Sequence, residues 1–234
     1  MTLSTAQALE LAVLDNAAWC VAMWRAHGLE VHRGPGMVMC VGQPPAYYPN
    51  VVTTVSGVDD AAQKEILNGL AQGFGVPGIS IKDSFAQLDL SICGYGVLFT
   101  AKWLARAPGP ILRPKLDWRM VETTAELVAW ESALRRTTSD GRPTFVEPLL
   151  ADVSVGIFAG WENGQINTGV VLTPSDAHVA GLSNIFGQQC EAVAIATSVF
   201  PDRTLVGYER GEELEGLKTL GFAETGDLAV WQSL

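Results

Sequence analysis

The sequence predicts an α/β fold, in which helices pack on a β-sheet, and three observations lead to this class. Short β-forming runs alternate with amphipathic helical segments along most of the chain. Two stretches repeat the same order of elements at one constant offset. The dipeptide Asn163-Gly164, flanked by apolar runs, is a strong signal for a β-hairpin. Together they predict two α/β halves, of which the first is incomplete because it lacks an Asn-Gly hairpin.

The elements of the first half follow from apolar spacing and turn residues. Residues 5–31 have the spacing of a helix or a close pair of helices, with Gly28 as a stop. The later runs predict strands in 34–43, 50–57, 78–84 and 96–107 and helices in 59–75 and 85–95. Three prolines and a glycine then interrupt the chain, which places a domain boundary near residue 109.

The second half has the same kind of pattern. It predicts helices in 124–136, 188–200 and 211–222, the hairpin in 153–175, and strands in 177–186, 204–209 and 224–231. Residues 51–95 lie over residues 178–222 without a gap, since 178 − 51 and 222 − 95 both equal 127. The sequence therefore predicts a tandem repeat, with one half in residues 1–108 and the other in residues 109–234.

Composition limits the possible partners. The 234 residues include 15 basic and 25 acidic ones, for a net charge of −10, whereas a nucleic-acid-binding surface needs basic groups to neutralise phosphates. Apolar residues make up 48% of the chain. From the charge we expect no nucleic-acid partner. From the apolar content we expect extensive burial of side chains, including a subunit interface in a homodimer.

Targeting and metal-binding signals are equally sparse. No uninterrupted apolar run approaches the roughly 20 residues of a membrane helix, and Glu10 and Asp15 stand where a signal peptide would carry basic residues. The cysteines occur singly, without a C-x-x-C pair, at Cys20, Cys40, Cys93 and Cys190. We expect a cytoplasmic protein with no membrane partner and no metal site, whose cysteines are reduced core residues.

The second half resembles the GNAT superfamily of acyl-CoA-dependent N-acyltransferases. The likeness lies in the strand "VGYE", the helix after it, and "LGF" leading into a last strand "ETGDLAVW". The first half resembles a degenerate second copy, as in tandem members of that superfamily. The resemblance implies a mixed α+β sheet and an acyl-CoA co-substrate, acetyl-CoA or another thioester, whose acyl group is transferred to a small-molecule amine.

The resemblance also assigns a cofactor loop. The superfamily motif [QR]-x-x-G-x-[GA] joins a strand to a helix whose main-chain N–H groups hold the CoA pyrophosphate. The aligned residues here run from Asn184 to Gln189; Gly187 matches the motif, whereas Gln189 stands where a very small residue is usual. The implied cofactor contacts are Leu182, Ser183 and Asn184 for the pantetheine and Gly187, Gln188 and Gln189 for the pyrophosphate. In the first half the equivalent stretch carries Asp59 and Asp60, which would repel phosphate.

Catalytic residues are less clear from the resemblance. The tyrosine that protonates the departing thiolate in many relatives is replaced by Leu217. Tyr208 and Glu209, beside the implied acyl site, remain as a candidate acid and a candidate base. Alternatively, Tyr208 packs in the sheet and Glu209 caps or solvates the next helix.

Three hypotheses follow. The protein is an N-acyltransferase for an unidentified amine; or it is a catalytically inactive GNAT-like binding or regulatory module; or it is an unrelated duplicated protein that binds a small molecule between its halves. A gap between the strands in 177–186 and 204–209 would favour the first, because CoA enters the superfamily's sheet through such a gap.

Overall fold

The computed structural model describes residues 3–57, 78–134 and 141–234. The helices are α1 (Thr5–Ala26), α2 (Thr124–Leu134), α3 (Gln189–Val199) and α4 (Gly211–Thr219), with 3₁₀ turns at Ser91–Cys93 and Glu147–Ala151. The strands are β1 (Glu30–Gly34), β2 (Met37–Val41), β3 (Val51–Thr53), β4 (Ser80–Asp83), β5 (Tyr95–Arg106), β6 (Asp117–Met120), β7 (Gly156–Glu162), β8 (Gln165–Thr173), β9 (Val179–Phe186), β10 (Thr204–Glu209) and β11 (Ala223–Ser233). The predicted α/β class is confirmed.

All these strands form a single mixed sheet in the order β1-β2-β3-β4-β11-β5-β10-β9-β8-β7-β6. Two neighbouring pairs, β3 with β4 and β9 with β10, are parallel. The other neighbours are antiparallel. The mixed character implied by the resemblance is thus present.

The last strand of each predicted half lies beside strands of the other half. β5 pairs with β10 on one side and with β11 on the other, while β11 also pairs with β4. Adding 127 to the bounds of β5, residues 95–106, gives 222–233, and β11 covers Ala223–Ser233. Strands of the two halves thus lie at positions related by the offset of 127 residues. Not all helices of the two halves are related in this way. The tandem repeat and the domain boundary stay predictions.

Helix α1 lies on one face of the sheet, and α3 and α4 lie on the other. Helix α1 begins with a capping box, in which the side chains of Ser4 and Gln7 each accept the other residue's main-chain N–H group. Along β10, Val206 packs in a buried cluster with residues of α1, whereas its neighbour Leu205 packs with residues of α3 and α4. Side chains of one strand alternate between faces, so each face has its own core.

Two turn predictions have different outcomes. The hairpin between β7 and β8 is confirmed, with Asn163 at φ 51° and Gly164 at φ 78°, the left-handed conformations that this turn requires. The described residues of the first half contain no Asn-Gly hairpin, as the sequence indicated, but they do contain a hairpin. β1 and β2 form one, and Gly36 takes φ 72° in its turn. Residues 34–43 were predicted as one strand, so the turn at Pro35-Gly36 was not expected.

Other predicted elements also need correction. The helix expected in 85–95 is absent: the carboxylate of Asp83 accepts the N–H groups of Phe85 and Leu88 and winds the chain into a turn before the short 3₁₀ segment. Strand β6 was not predicted and pairs with β7 at the edge of the sheet. The helix expected in 59–75, with Asp59 and Asp60, lies outside the described residues.

Among the cysteines, Cys20 and Cys40 are buried as expected, whereas Cys93 and Cys190 are exposed, which corrects the expectation for those two. Both exposed thiols lie at the start or end of a helical turn rather than on its apolar face. Within the described ranges, no group of His, Cys, Asp and Glu side chains could hold a metal ion. No described helix is long and apolar enough to cross a membrane.

Candidate functional site

The parallel strands β9 and β10 separate part-way along their length. Their pairing covers Val179 to Gly181 on β9 and ends at Val206 on β10, although both strands continue beyond these residues. The separated part of β9 stays bonded to β8, with an irregular register. Asn184 takes a left-handed φ of 52° there, which a short amide side chain tolerates. The strands therefore open a gap in the sheet.

A cavity of about 420 Å³ lies at this gap. Its walls come from α1, from the loop that follows β2, and from β4, β5, β9, β10 and β11. Both predicted halves therefore contribute side chains to it. The aromatic side chains in its walls are Trp19, Tyr47, Tyr48, Phe99 and Tyr208.

The strongest polar feature of the cavity is Lys82, which is only 4% exposed. Its Nζ donates to Oδ1 of Asn16 at 2.8 Å and to the phenol oxygen of Tyr208 at 3.1 Å. Burial lowers the pKa of the Lys82 ammonium, but its electrostatic interactions with Tyr208 and Cys20 outweigh burial and raise the pKa overall. Nζ of Lys82 is therefore held between Asn16 on α1 and Tyr208 on β10, at the wall of the cavity.

The predicted acid and base both line the cavity. The ring of Tyr208 meets Trp103 edge-on, with centroids 5.3 Å apart, and its hydroxyl reaches Lys82. Glu209 follows on the same strand and lies at the cavity wall. The structure thus brings Tyr208 together with Lys82, while Glu209 is the next residue along β10 and also lines the cavity. The catalytic roles of Tyr208 and Glu209 stay a proposal.

The six predicted cofactor residues divide into two groups. Leu182, Ser183 and Asn184 line the cavity on the separated part of β9. Nδ2 of Asn184 donates to the hydroxyl of Tyr48 at 3.3 Å, which ties β9 to the loop after β2. The other group, Gly187 to Gln189, lies outside the cavity, at the start of α3.

The packing of the loop explains why position 187 is a glycine. It takes φ 74°, and a Cβ atom at this position would lie 2.1 Å from the main-chain oxygen of Asn167. The next N–H group, of Gln188, donates to Oγ1 of Thr168 at 3.2 Å. Close packing against β8 therefore requires the glycine, whether or not a phosphate binds.

The side chain of Gln189 is directed away from the loop and towards α4. Its Nε2 donates to the main-chain oxygen of Glu213 on α4 at 3.0 Å, and its Oε1 occupies the space where Gly216 would carry a Cβ. In the described part of the chain, the main-chain N–H groups of Gln189 and Cys190 have no acceptor. The start of α3 thus keeps two free donors and the positive end of its dipole.

An acidic side chain in the first turn of α3 is already satisfied. Oε2 of Glu191 accepts the N–H groups of Lys115, Leu116 and the Trp118 indole at 2.9, 3.0 and 3.3 Å. Burial acts to raise the pKa of Glu191, but these hydrogen bonds lower it overall. The carboxylate therefore faces the segment before β6 rather than open solvent.

Sequence reasoning did not identify Lys82 or Asn16 as site residues. The available signal was the adjacent charged pair Lys82 and Asp83 in the predicted strand "GISIKDS". A charged side chain there points to a partner or a ligand, because a buried charge without one is costly.

Comparison with known proteins bears on the fold. No family model matches the sequence, and no curated protein matches it. Among solved structures, a GCN5-related N-acetyltransferase from Kribbella flavida has a TM-score of 0.62 at 14% identity, over 93% of this chain and 95% of that one. A GCN5-related N-acetyltransferase from Sphaerobacter thermophilus has a TM-score of 0.54 at 12% identity, over 95% and 92%.

A further solved structure is a Saccharomyces cerevisiae N-myristoyltransferase with bound myristoyl-CoA. It has a TM-score of 0.51 at 8% identity, over 78% of this chain and 59% of that one. These identities are too low to transfer a site residue by residue, but the shared architecture covers nearly the whole chain. The chain therefore has the fold of the GNAT superfamily.

Proposed function

We propose that this protein is an acyl-CoA-dependent N-acyltransferase that transfers an acetyl or other acyl group to a small amine. The observation that carries the proposal is the gap between β9 and β10, with a cavity at its inner end. Such a gap is where the resemblance predicts that CoA enters the sheet. One solved structure of similar fold holds an acyl-CoA, which supports the same class of co-substrate.

The proposed path of the co-substrate follows the residues of β9. Its pantetheine would lie along Leu182 to Asn184, and its pyrophosphate would meet the free N–H groups of Gln189 and Cys190. An anion is stabilised at the start of a helix by these donors and by the helix dipole. Because the side chain of Gln189 is directed to α4, it does not cover this position.

The proposed reaction needs one base and one acid. The amine nitrogen attacks the thioester carbonyl carbon, the carbon–sulfur bond breaks, and the CoA sulfur leaves as a thiolate. Glu209 would accept the proton that the amine loses, and Tyr208 would donate its phenol proton to the thiolate. The products are the amide and free CoA.

Lys82 would assist the acid. Its ammonium donates a hydrogen bond to the phenol oxygen, so the phenol's own proton is available for another acceptor. The phenolate that remains after proton transfer would lie 3.1 Å from a positive charge. Such a fixed charge stabilises the developing anion more strongly in a dry cavity than in water.

A catalytically inactive binding module is the second candidate. It is favoured by Leu217 at the superfamily's usual tyrosine position and by the engagement of the Gln188 N–H with Thr168, which leaves fewer donors for phosphate. Acyl-CoA binding without any transfer to an amine would support this candidate instead.

Calorimetric titration of acetyl-CoA tests the cofactor assignment. In Cys190→Glu, an exposed residue in the first turn of α3 would carry a negative charge beside the proposed pyrophosphate position. An acidic residue suits a helix N-terminus, so the fold should persist while acetyl-CoA binding weakens at least tenfold. Cys93→Glu, at an exposed cysteine of the first half, is the matched control. The assignment fails if the wild type does not bind, or if both variants bind equally well.

A further inference from the structure

The ammonium of Lys82 is buried without a counter-charge. Among the residues that the structure describes, no carboxylate forms an ion pair with it. Its two hydrogen-bond acceptors are the amide oxygen of Asn16 and the hydroxyl of Tyr208, and neither is a carboxylate. Most buried charges in proteins are paired, because removing a charge from water is costly.

One donor of this ammonium remains for a ligand. A lysine ammonium has three N–H groups, and Asn16 and Tyr208 account for two of them. Lys82 also lines the cavity, so its third N–H can reach a bound molecule there. The group that best satisfies such a donor is an anion small enough to fit in a cavity of about 420 Å³.

The charges around the cavity are asymmetric. Lys82 is the one basic residue and Glu209 the one acidic residue among the described cavity-lining side chains. A molecule with a carboxylate and an amine would place the carboxylate at Lys82 and direct the amine to the strand end that carries Glu209. An amine without a carboxylate would leave the ammonium uncompensated.

The remaining walls indicate the rest of the ligand. Trp19, Tyr47, Tyr48 and Phe99 present aromatic surface, and the loop after β2 adds three prolines. Aromatic walls favour an apolar group of moderate size over a polyhydroxylated or strongly charged one.

We propose that the amine acceptor also carries a carboxylate, as an amino acid with an apolar or aromatic side chain does, and that Lys82 binds this carboxylate. The inference rests on the proposed function, since it assigns the acceptor of the same reaction. It makes Lys82 a specificity-determining residue in addition to its contact with Tyr208.

Matched pairs of probes test the inference by calorimetry. L-phenylalanine, L-leucine and L-methionine are compared with phenethylamine, isoamylamine and 3-(methylthio)propylamine, which lack only the carboxylate. At least one amino acid should bind tenfold or more tightly than its paired amine. In Lys82→Met, which keeps the long side chain without its charge, that ratio should fall to about one. Lys102→Met, which removes an exposed lysine paired with Asp227, should keep the wild-type ratio.

The inference is overturned if the amines bind as tightly as the amino acids, if no amino acid binds, or if Lys82→Met keeps the preference. Lys82→Met leaves the buried amide oxygen of Asn16 without this donor, which lowers stability, so thermal denaturation must first show that the variant is folded. The proposed function is judged separately, by acetyl-CoA binding and by release of the CoA thiol. Amino-acid binding that depends on Lys82, without acetyl-CoA binding, would reject acyl transfer and leave the carboxylate site intact.

Discussion

The Nζ atom of Lys82 on β4 lies 3.1 Å from the phenol oxygen of Tyr208 on β10 and 4.4 Å from the centre of its ring. Strands β11 and β5 stand between β4 and β10 in the sheet, so the two long side chains reach across them. The contact joins residues of both predicted halves at the cavity. It is the reason why neither half alone would contain the proposed site.

Tyr208→Phe tests the proposed acid directly. The change removes the hydroxyl and keeps the ring that packs on Trp103, so the fold should be unaffected. Loss of a positioned acid should reduce kcat for acetyl transfer roughly 100-fold, with acetyl-CoA affinity unchanged. Release of the CoA thiol is the measurement. Tyr95→Phe, in the core of the first half and outside the cavity lining, is the control. Equal rates for both variants would show that Tyr208 only packs in the sheet.

Gly187→Ala is expected to destabilise the protein whether or not the loop binds a phosphate. The position takes φ 74°, and the new Cβ would lie 2.1 Å from the main-chain oxygen of Asn167. We expect the free energy of unfolding to fall by about 2 kcal/mol or more, from strain and clash together. Urea denaturation measures it.

Gly164→Ala is the matched comparison for this prediction. Gly164 has a similar φ of 78°, but no atom lies within 4 Å of the position of its Cβ. Its substitution should cost about 1 kcal/mol from backbone strain alone. Equal losses at the two positions would contradict the role assigned to close packing against β8.

Asp15 should make stability depend on pH. Its carboxylate is buried between α1 and β8, where it accepts hydrogen bonds from Thr173 and Ser175 at 2.8 and 2.5 Å. Burial raises the pKa of Asp15 to about 6, and the hydrogen bonds only partly oppose this. Because the folded state holds the proton more tightly than the unfolded state, this group's stabilisation is fully present below about pH 4 and is lost as the pH rises through about 6.

The loss attributable to Asp15 should approach about 3 kcal/mol at pH 7, since a difference of one in pKa corresponds to about 1.4 kcal/mol. Urea denaturation from pH 4 to pH 7.5 measures it as the difference between wild type and Asp15→Asn. Asp202→Asn, at an exposed residue between α3 and β10, should leave the pH dependence unchanged. A constant difference between wild type and Asp15→Asn across this range would contradict the prediction.

The sequence predicted those parts of the fold that depend on neighbouring residues. The turn at Asn163-Gly164 was found because both residues must take positive φ locally, and β10 was found from its apolar run. Placing Tyr208 beside the site came from the resemblance. Lys82 was missed because its partners lie 66 and 126 residues away in the chain.

The wrong helix in 85–95 has a related cause. Its apolar spacing is compatible with a helix, but Asp83, just before it, binds the N–H groups of Phe85 and Leu88. Aspartate favours such turns over helix continuation when its side chain can reach nearby main-chain donors. A prediction from apolar spacing alone does not take this competition into account. The buried position of Asp83 depends on the sheet and not on its neighbours in the sequence.

Glu191→Gln should loosen the segment that leads into β6. The carboxylate accepts three N–H donors from Lys115, Leu116 and Trp118, and the neutral amide would accept them more weakly. We expect the free energy of unfolding at pH 7 to fall by about 2 kcal/mol. Amide hydrogen exchange should accelerate at residues 115 and 116. Glu212→Gln, at an exposed residue in the first turn of α4, should change neither quantity appreciably.

The pH dependence of this effect has the opposite sign to that of Asp15. Because hydrogen bonds hold the pKa of Glu191 below its usual value of 4.5, its stabilisation is present above that pH and is lost as the pH falls through the lower, folded-state pKa. The difference between wild type and Glu191→Gln should therefore shrink as the pH is lowered below 4.5, as measured by urea denaturation. A difference that stays the same at low pH would show that the side chain acts through its packing, and that the charge of its carboxylate does not hold residues 115–118 against α3.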